Sequence, residues 1–80
     1  MTNNSTPLHQ LKVGEKAIID HFNGIDANYR NRLMSLGLTP GTTIELQGVA
    51  PLGDPMSLKV RGFKLSLRRA EAGQIHVIKV

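Results

Sequence analysis

The sequence predicts a mainly β fold: a small barrel of about five short strands, with one helix inserted after the first. Three observations carry that prediction. The runs "TIEL", "MSLKV" and "FKLSL" alternate apolar and polar residues with the period of a strand. Turn residues, above all glycine and proline, separate these runs closely. A single segment, residues 26–38, repeats its apolar residues at helical spacing. Closing so short a set of strands into a barrel protects the edges of the sheet.

Each element has its own local reason. Residues 1–7 are polar and read as a flexible tail, leaving residues 8–80 as the domain. Leu8 and Leu11 lie three apart before Gly14 and read as a lead-in turn that packs two leucines. "KAIIDHF" is β-branched and aromatic, hence a first strand. Plain alternation would put Ile18, Asp20 and Phe22 on one side and Ala17, Ile19 and His21 on the other. In the helix, Asp26 is placed to accept from the free N–H groups of the first turn. Tyr29, Leu33 and Leu36 form its apolar stripe, with Ile25 stapled against Tyr29. Gly37 ends it as a left-handed residue, and Pro40 follows. Gly48 interrupts the next strand and predicts a bulge or bend. "RAEAG" reads as one helical turn and "QIHVIKV" as the last strand. The expected core is Ile44, Leu46, Leu58, Val60, Leu65 and Leu67, closed on one side by Leu33 and Leu36.

Composition narrows the function classes. The 80 residues are 40% hydrophobic and 20% charged, which suits one small globular domain. There is no cysteine, so neither a disulfide nor a thiolate metal site is available. The N-terminus has no basic and apolar signal pattern, and no run reaches the length of a membrane span. The sequons at Asn3 and Asn4 are therefore expected to be idle. The net charge of +4 fits an anionic partner as well as it fits solubility.

No motif for catalytic chemistry stands in the sequence. Gly48 and Gly53 have the glycine spacing of a phosphate-binding loop, but Asp54 and Pro55 stand where Lys and Ser or Thr are needed. The histidines, His9, His21 and His76, share no chelating spacing, and plain alternation separates His21 from Asp20. No nucleophile sits beside an evident base. The residues read as a binding module, not an enzyme, with no cofactor and no metal site expected.

Its surface offers two features. In "APLGDP" (50–55), Pro51, Gly53, Pro55 and Asp54, expected to bond its own backbone, account for a tight turn between two strands, but not for Leu52 at its tip. Leu52 either covers the open end of the barrel or is held out for a partner. Lys59, Arg61, Lys64 and Arg68 share outward parity on two neighbouring runs and make a basic face. Partner-binding residues are thus expected among Leu52, Gly53, Asp54, Lys59, Arg61, Lys64 and Arg68.

Across residues 8–80 the chain resembles the ferrous-iron transport protein A (FeoA) family. The resemblance rests on "LHQLKVGEKAIID", "RLMSLGLTPGTTIEL" and "VAPLGDPMSLKVRGFKLSLRRAEAGQIHV". It implies an SH3-like barrel in the cytoplasm, recruited to the inner face of the cell membrane. There it would serve bacterial ferrous-iron uptake beside FeoB, a membrane transporter with its own GTPase domain. The same domain resembles the C-terminal module of iron-dependent repressors, but no DNA-binding helix precedes it here, so the free-standing transport partner is expected. Two other readings stand beside this one, a nucleic-acid-binding barrel and a ferrous-ion carrier or sensor. An arginine finger drawn from Arg30, Arg32, Arg61, Arg68 and Arg69, and weak self-association, are also compatible with the sequence.

Overall fold

The computed structural model describes residues 5–80. In chain order the elements are β1 (Ser5–Pro7), a 3-10 turn (Leu8–Gln10), β2 (Lys16–Phe22), α1 (Ala27–Ser35), β3 (Thr43–Val49), β4 (Met56–Val60), β5 (Phe63–Leu67), α2 (Arg69–Ala72) and β6 (Ile75–Lys79). The six strands form one antiparallel sheet in the order β1-β6-β2-β3-β4-β5. The architecture is that of an SH3-like barrel with α1 inserted between β2 and β3.

The sixth strand is a correction to the expected five. Ser5–Pro7 pairs with β6, Ser5 opposite Ile78 and Pro7 opposite His76. Three residues ending in proline carry no alternation of their own, so only the partner strand makes them β. The expected tail therefore loses residues 5–7 to the sheet. Its first four residues, with the sequon asparagines Asn3 and Asn4, lie outside the described residues.

Both ends of α1 follow from local chemistry. The Asp26 carboxylate accepts from the N–H groups of Asn28 and Tyr29, at 3.1 and 3.3 Å. At the other end Gly37 is left-handed, with φ of 106°. Its N–H donates to the Met34 carbonyl at 3.0 Å, and the Leu38 N–H reaches back to Leu33 at 3.1 Å. This is a complete Schellman motif, which satisfies two carbonyls the helix leaves over. A Cβ at Gly37 would also stand 3.3 Å from Val60 Cγ1, so glycine lets the helix end seat against β4.

That reversal changes which leucine closes the core. Leu36 was expected inside, but it is the C-cap residue and is 37% exposed. Leu38, turned inward by the Schellman motif, is fully buried beside Leu33 in the same cluster. Ile44, Leu46, Leu58, Val60 and Leu67 are buried as expected, whereas Leu65 is only partly covered. Leu8 and Leu11 of the lead-in turn are buried too.

Two bulges interrupt the ladder. On β3, Leu46 and Gly48 face the consecutive residues Leu58 and Ser57, leaving Gln47 extra, which fulfils the expectation at Gly48. On β2, Ile19 and His21 face Val77 and His76, so Asp20 is the extra residue. A bulge bends its strand and sharpens the local twist, which helps a single sheet wrap one core.

Leu58 has no exposed surface and lies in the middle of the β3–β4–β5 row. Leu58→Ala is expected to cost about 2–5 kcal/mol, a large part of the stability of so small a domain. Leu36→Ala should cost much less. Urea unfolding of the two variants checks the assignment, and equal losses would contradict it.

Candidate functional site

The loop that joins β3 to β4 is fastened at both ends. The Ala50 N–H donates to the Pro55 carbonyl at 3.0 Å, and the Gly53 N–H to the Ala50 carbonyl at 2.7 Å. Gly53 supplies a φ of 87°. The third fastening is not local. Asp54 was expected to bond its own backbone, but its Oδ1 accepts from the N–H of Arg69 at 3.0 Å. Arg69 is the first residue of α2, so a carboxylate from 15 residues earlier takes up one of the free N–H groups of that helix. Glu71 does the same work from inside, accepting from the Arg68 N–H at 2.9 Å. Asp54 is thereby engaged at the start of α2.

Held this way, the tip of the loop points out. Leu52 is 95% exposed, the most exposed large apolar residue among the described residues. The reading of Leu52 as a cover over the barrel is therefore overturned. The turn, the glycine and the Asp54 anchor together keep a leucine in water.

The expected basic face is only partly assembled. Lys59 and Lys64 stand directly opposite each other on β4 and β5. The row continues through Glu45, opposite Lys59, to Lys16, opposite Glu45. Glu45 thus lies between two lysines, while Lys64 has only another lysine across from it. Like charges directly opposed repel, so an anionic partner is favoured there. Arg61 is not on the strand. It occupies the two-residue turn with Gly62, both at positive φ, 51° and 88°, as a tight hairpin of this hand requires. It still borders the same shallow cleft as Lys16, Glu45 and Lys59. Arg68 lies beyond the end of β5 and points to the loop instead, its guanidinium 3.9 Å from Asp54 Oδ2.

A third cluster was not foreseen. The Asp20 bulge brings Asp20 and His21 together, with His21 Nδ1 2.6 Å from Asp20 Oδ2. Strict alternation would have kept them apart, and the extra residue removes that alternation. His21 also stacks on His76 of β6, centroids 4.6 Å apart and planes within 9°. Lone pairs of imidazole nitrogens lie in the ring plane, so two parallel stacked rings cannot aim at one metal ion. Among the described residues no group of three or more metal-ligating side chains is assembled. His21 and Asp20 border a cleft of about 330 Å³ with Phe22, Arg30, Asn31, Met34 and Pro40.

Tyr29 ties α1 to α2. Partial burial, and then the Glu71 carboxylate beside its hydroxyl, push the Tyr29 phenol up from 10.0 to about 12, with Arg32 opposing. No helix among the described residues is long and apolar enough to cross a membrane.

The fold and surface define a small SH3-like barrel that presents a fixed loop and a basic sheet face, a design suited to docking. The family model for the FeoA domain matches residues 6–79, and the chain belongs to that family. It is similar to the FeoA protein of Chlorobium tepidum, whose solution structure superposes with a TM-score of 0.88 at 36% identity, covering 94% of this chain and 70% of that one. It is also similar to the zinc complex of Stenotrophomonas maltophilia FeoA, described as a prokaryotic SH3 domain protein. There the TM-score is 0.75 at 26% identity, covering 88% and 86% of the two chains. A curated relative is the Fe(2+) transport protein A/Fe(2+) transporter FeoB fusion protein of Porphyromonas gingivalis, 34% identical over 70 residues. The match takes in 88% of this chain but only 8% of that much longer protein.

The Tyr29 environment makes a pH prediction. A phenol whose folded pKa is raised holds its proton in the native state after the unfolded chain has lost it. Its stabilising contribution is complete below pH 10 and falls away as the pH rises towards 12. Tyr29→Phe should therefore flatten the loss of stability between those limits, as read by urea unfolding at stepped alkaline pH. An identical profile in both proteins would contradict the assignment. A second variant, Asp54→Ala, leaves the Arg69 N–H without its acceptor and should loosen the loop first. Amide exchange at Gly53 and Arg69 should quicken before exchange in β3 or β4 changes.

Proposed function

We propose that this chain is an accessory domain of ferrous-iron uptake, cytoplasmic and recruited to the inner face of the cell membrane. It docks there on a transporter with its own GTPase domain. The observation that carries the proposal is Leu52, 95% exposed on a loop anchored through Asp54 to α2. A loop whose backbone is already fastened loses little entropy on binding, and a leucine fully covered by a partner contributes roughly 1.5–3 kcal/mol. Lys59 and Lys64, with Arg61 at the turn beside them, steer the encounter with an acidic surface. Gly53 and Asp54 act on binding through the loop they shape, and Arg68 through its place beside Asp54.

The family supports this reading, and so does the Porphyromonas gingivalis relative, in which an Fe(2+) transport protein A segment shares a chain with an Fe(2+) transporter FeoB. A shared chain keeps two modules at high effective concentration, which is useful when their contact is weak. The nucleic-acid reading is disfavoured by the sheet face itself. Around Lys59 and Lys64 it carries Ser57 and Ser66, where a single-strand binder uses aromatic stacking platforms.

Two sets of variants test the proposal against the FeoB-type transporter of the same genome. Leu52→Ser should keep the melting temperature of the parent and lose most of the binding, together with iron-dependent growth. Reversing both Lys59 and Lys64 to glutamate should slow association, most clearly at low salt, with stability nearly unchanged. A stable Leu52→Ser variant that binds and supports uptake like the parent would overturn the proposal.

A further inference from the structure

β5 ends the sheet. Among the described residues it pairs with β4 on one side and has no strand on the other. The two-residue turn Arg61–Gly62 makes Val60 and Phe63 a hydrogen-bonded pair, so Leu58–Leu65 and Met56–Leu67 are hydrogen-bonded as well. It follows that Lys64 and Ser66 point their N–H and C=O groups away from β4. These two residues offer a donor and an acceptor each, about 6.8 Å apart along the edge.

A groove of about 250 Å³ runs beside that edge. α1 and its C-cap supply Tyr29, Arg32, Leu33 and Leu36 to it, β5 supplies Leu65, Ser66 and Leu67, and α2 supplies Glu71, whose carboxylate lies beside the Tyr29 hydroxyl. Its apolar side is incompletely covered, with Leu36 37% exposed and Leu65 only partly buried. Phe63, at the start of the same strand, is 49% exposed. On the opposite face of the sheet the edge carries Lys64, with Lys59 behind it. The edge thus separates a mixed groove, with half-covered Leu36 and Leu65 among its lining, from a cationic face.

We infer that the free edge of β5 accepts an extended segment of a partner protein, one that alternates acidic and apolar side chains. Strand addition explains both faces at once. Residues opposite Lys64 and Ser66 form the hydrogen-bonded pairs, and their side chains fall on the lysine face, where carboxylates fit. The residue opposite Leu65 falls on the groove face, where an apolar side chain meets Leu36 and Leu65. Charge decides against a second copy of this chain as the occupant. Two β5 edges laid together would bring two Lys59–Lys64 pairs into one row. The inference rests on the sheet edge and does not depend on the transporter reading or on Leu52.

A short capped peptide alternating glutamate and leucine tests it on the intact protein, with no transporter present. Binding should slow amide exchange at Lys64 and Ser66, while Leu65, already bonded to β4, stays as it was. N-methylation of the glutamate amides should weaken binding by about tenfold or more, since it removes the donors of the added strand without touching the protein. A peptide with lysine in place of glutamate should not bind, and Lys64→Glu should weaken binding of the acidic peptide while leaving unfolding unchanged. Equal affinity of the N-methylated peptide would overturn the inference. So would protection elsewhere, absence of binding at millimolar peptide, or concentration-dependent self-association that protects Lys64 and Ser66 without any peptide.

Discussion

A single sheet has to enclose a core with a chain of 80 residues. A flat sheet of this size could not do so, because its apolar face would stay wet. The rest of the structure follows from that constraint. The bulges at Asp20 and Gln47 curl the sheet, α1 sends Leu33 into the core, and Leu8, Leu11 and Leu38 reach in from the connections. Nearly every leucine is drawn inward, so one left in water at position 52 stands apart from the economy of the fold.

The same constraint produces the surface features. A bulge placed to bend β2 also removes the alternation that would separate Asp20 from His21, and so creates the pairing and the stack on His76. Alternation on β4 and β5 dries one face and exposes Lys59 and Lys64 on the other. Among the described residues the sheet terminates at β5, so no described strand pairs the edge groups of Lys64 and Ser66. These surface features are consequences of how the core is closed, not additions to it.

Asp54 shows how the loop becomes a device. A proline-rich turn limits the conformations available, but it does not decide which way the tip points. The hydrogen bond from the Arg69 N–H ties the loop to α2, and α2 is in turn held through Glu71 to Arg68 and Tyr29. The chain that keeps Leu52 exposed therefore passes through two helices remote from it in sequence.

The sequence by itself determined the elements whose causes are local. Period-two runs, the Asp26 cap, the Gly37 reversal and the Gly48 bulge each depend on neighbours within a turn or a strand, and each is present where those residues predict it. The family pattern spans the chain, and it identified the barrel correctly. Only the tertiary structure decided what depends on distant partners. Ser5–Pro7 becomes a strand because β6 lies beside it, and Leu38 displaces Leu36 because the helix end seats on β4. Asp54 turns to Arg69 rather than to its own backbone, Arg68 leaves the lysine row for the loop, and Asp20 meets His21 through a register shift with β6. Propensity and periodicity act over a few residues, whereas register, edge and exposure are set by which segments meet across the fold.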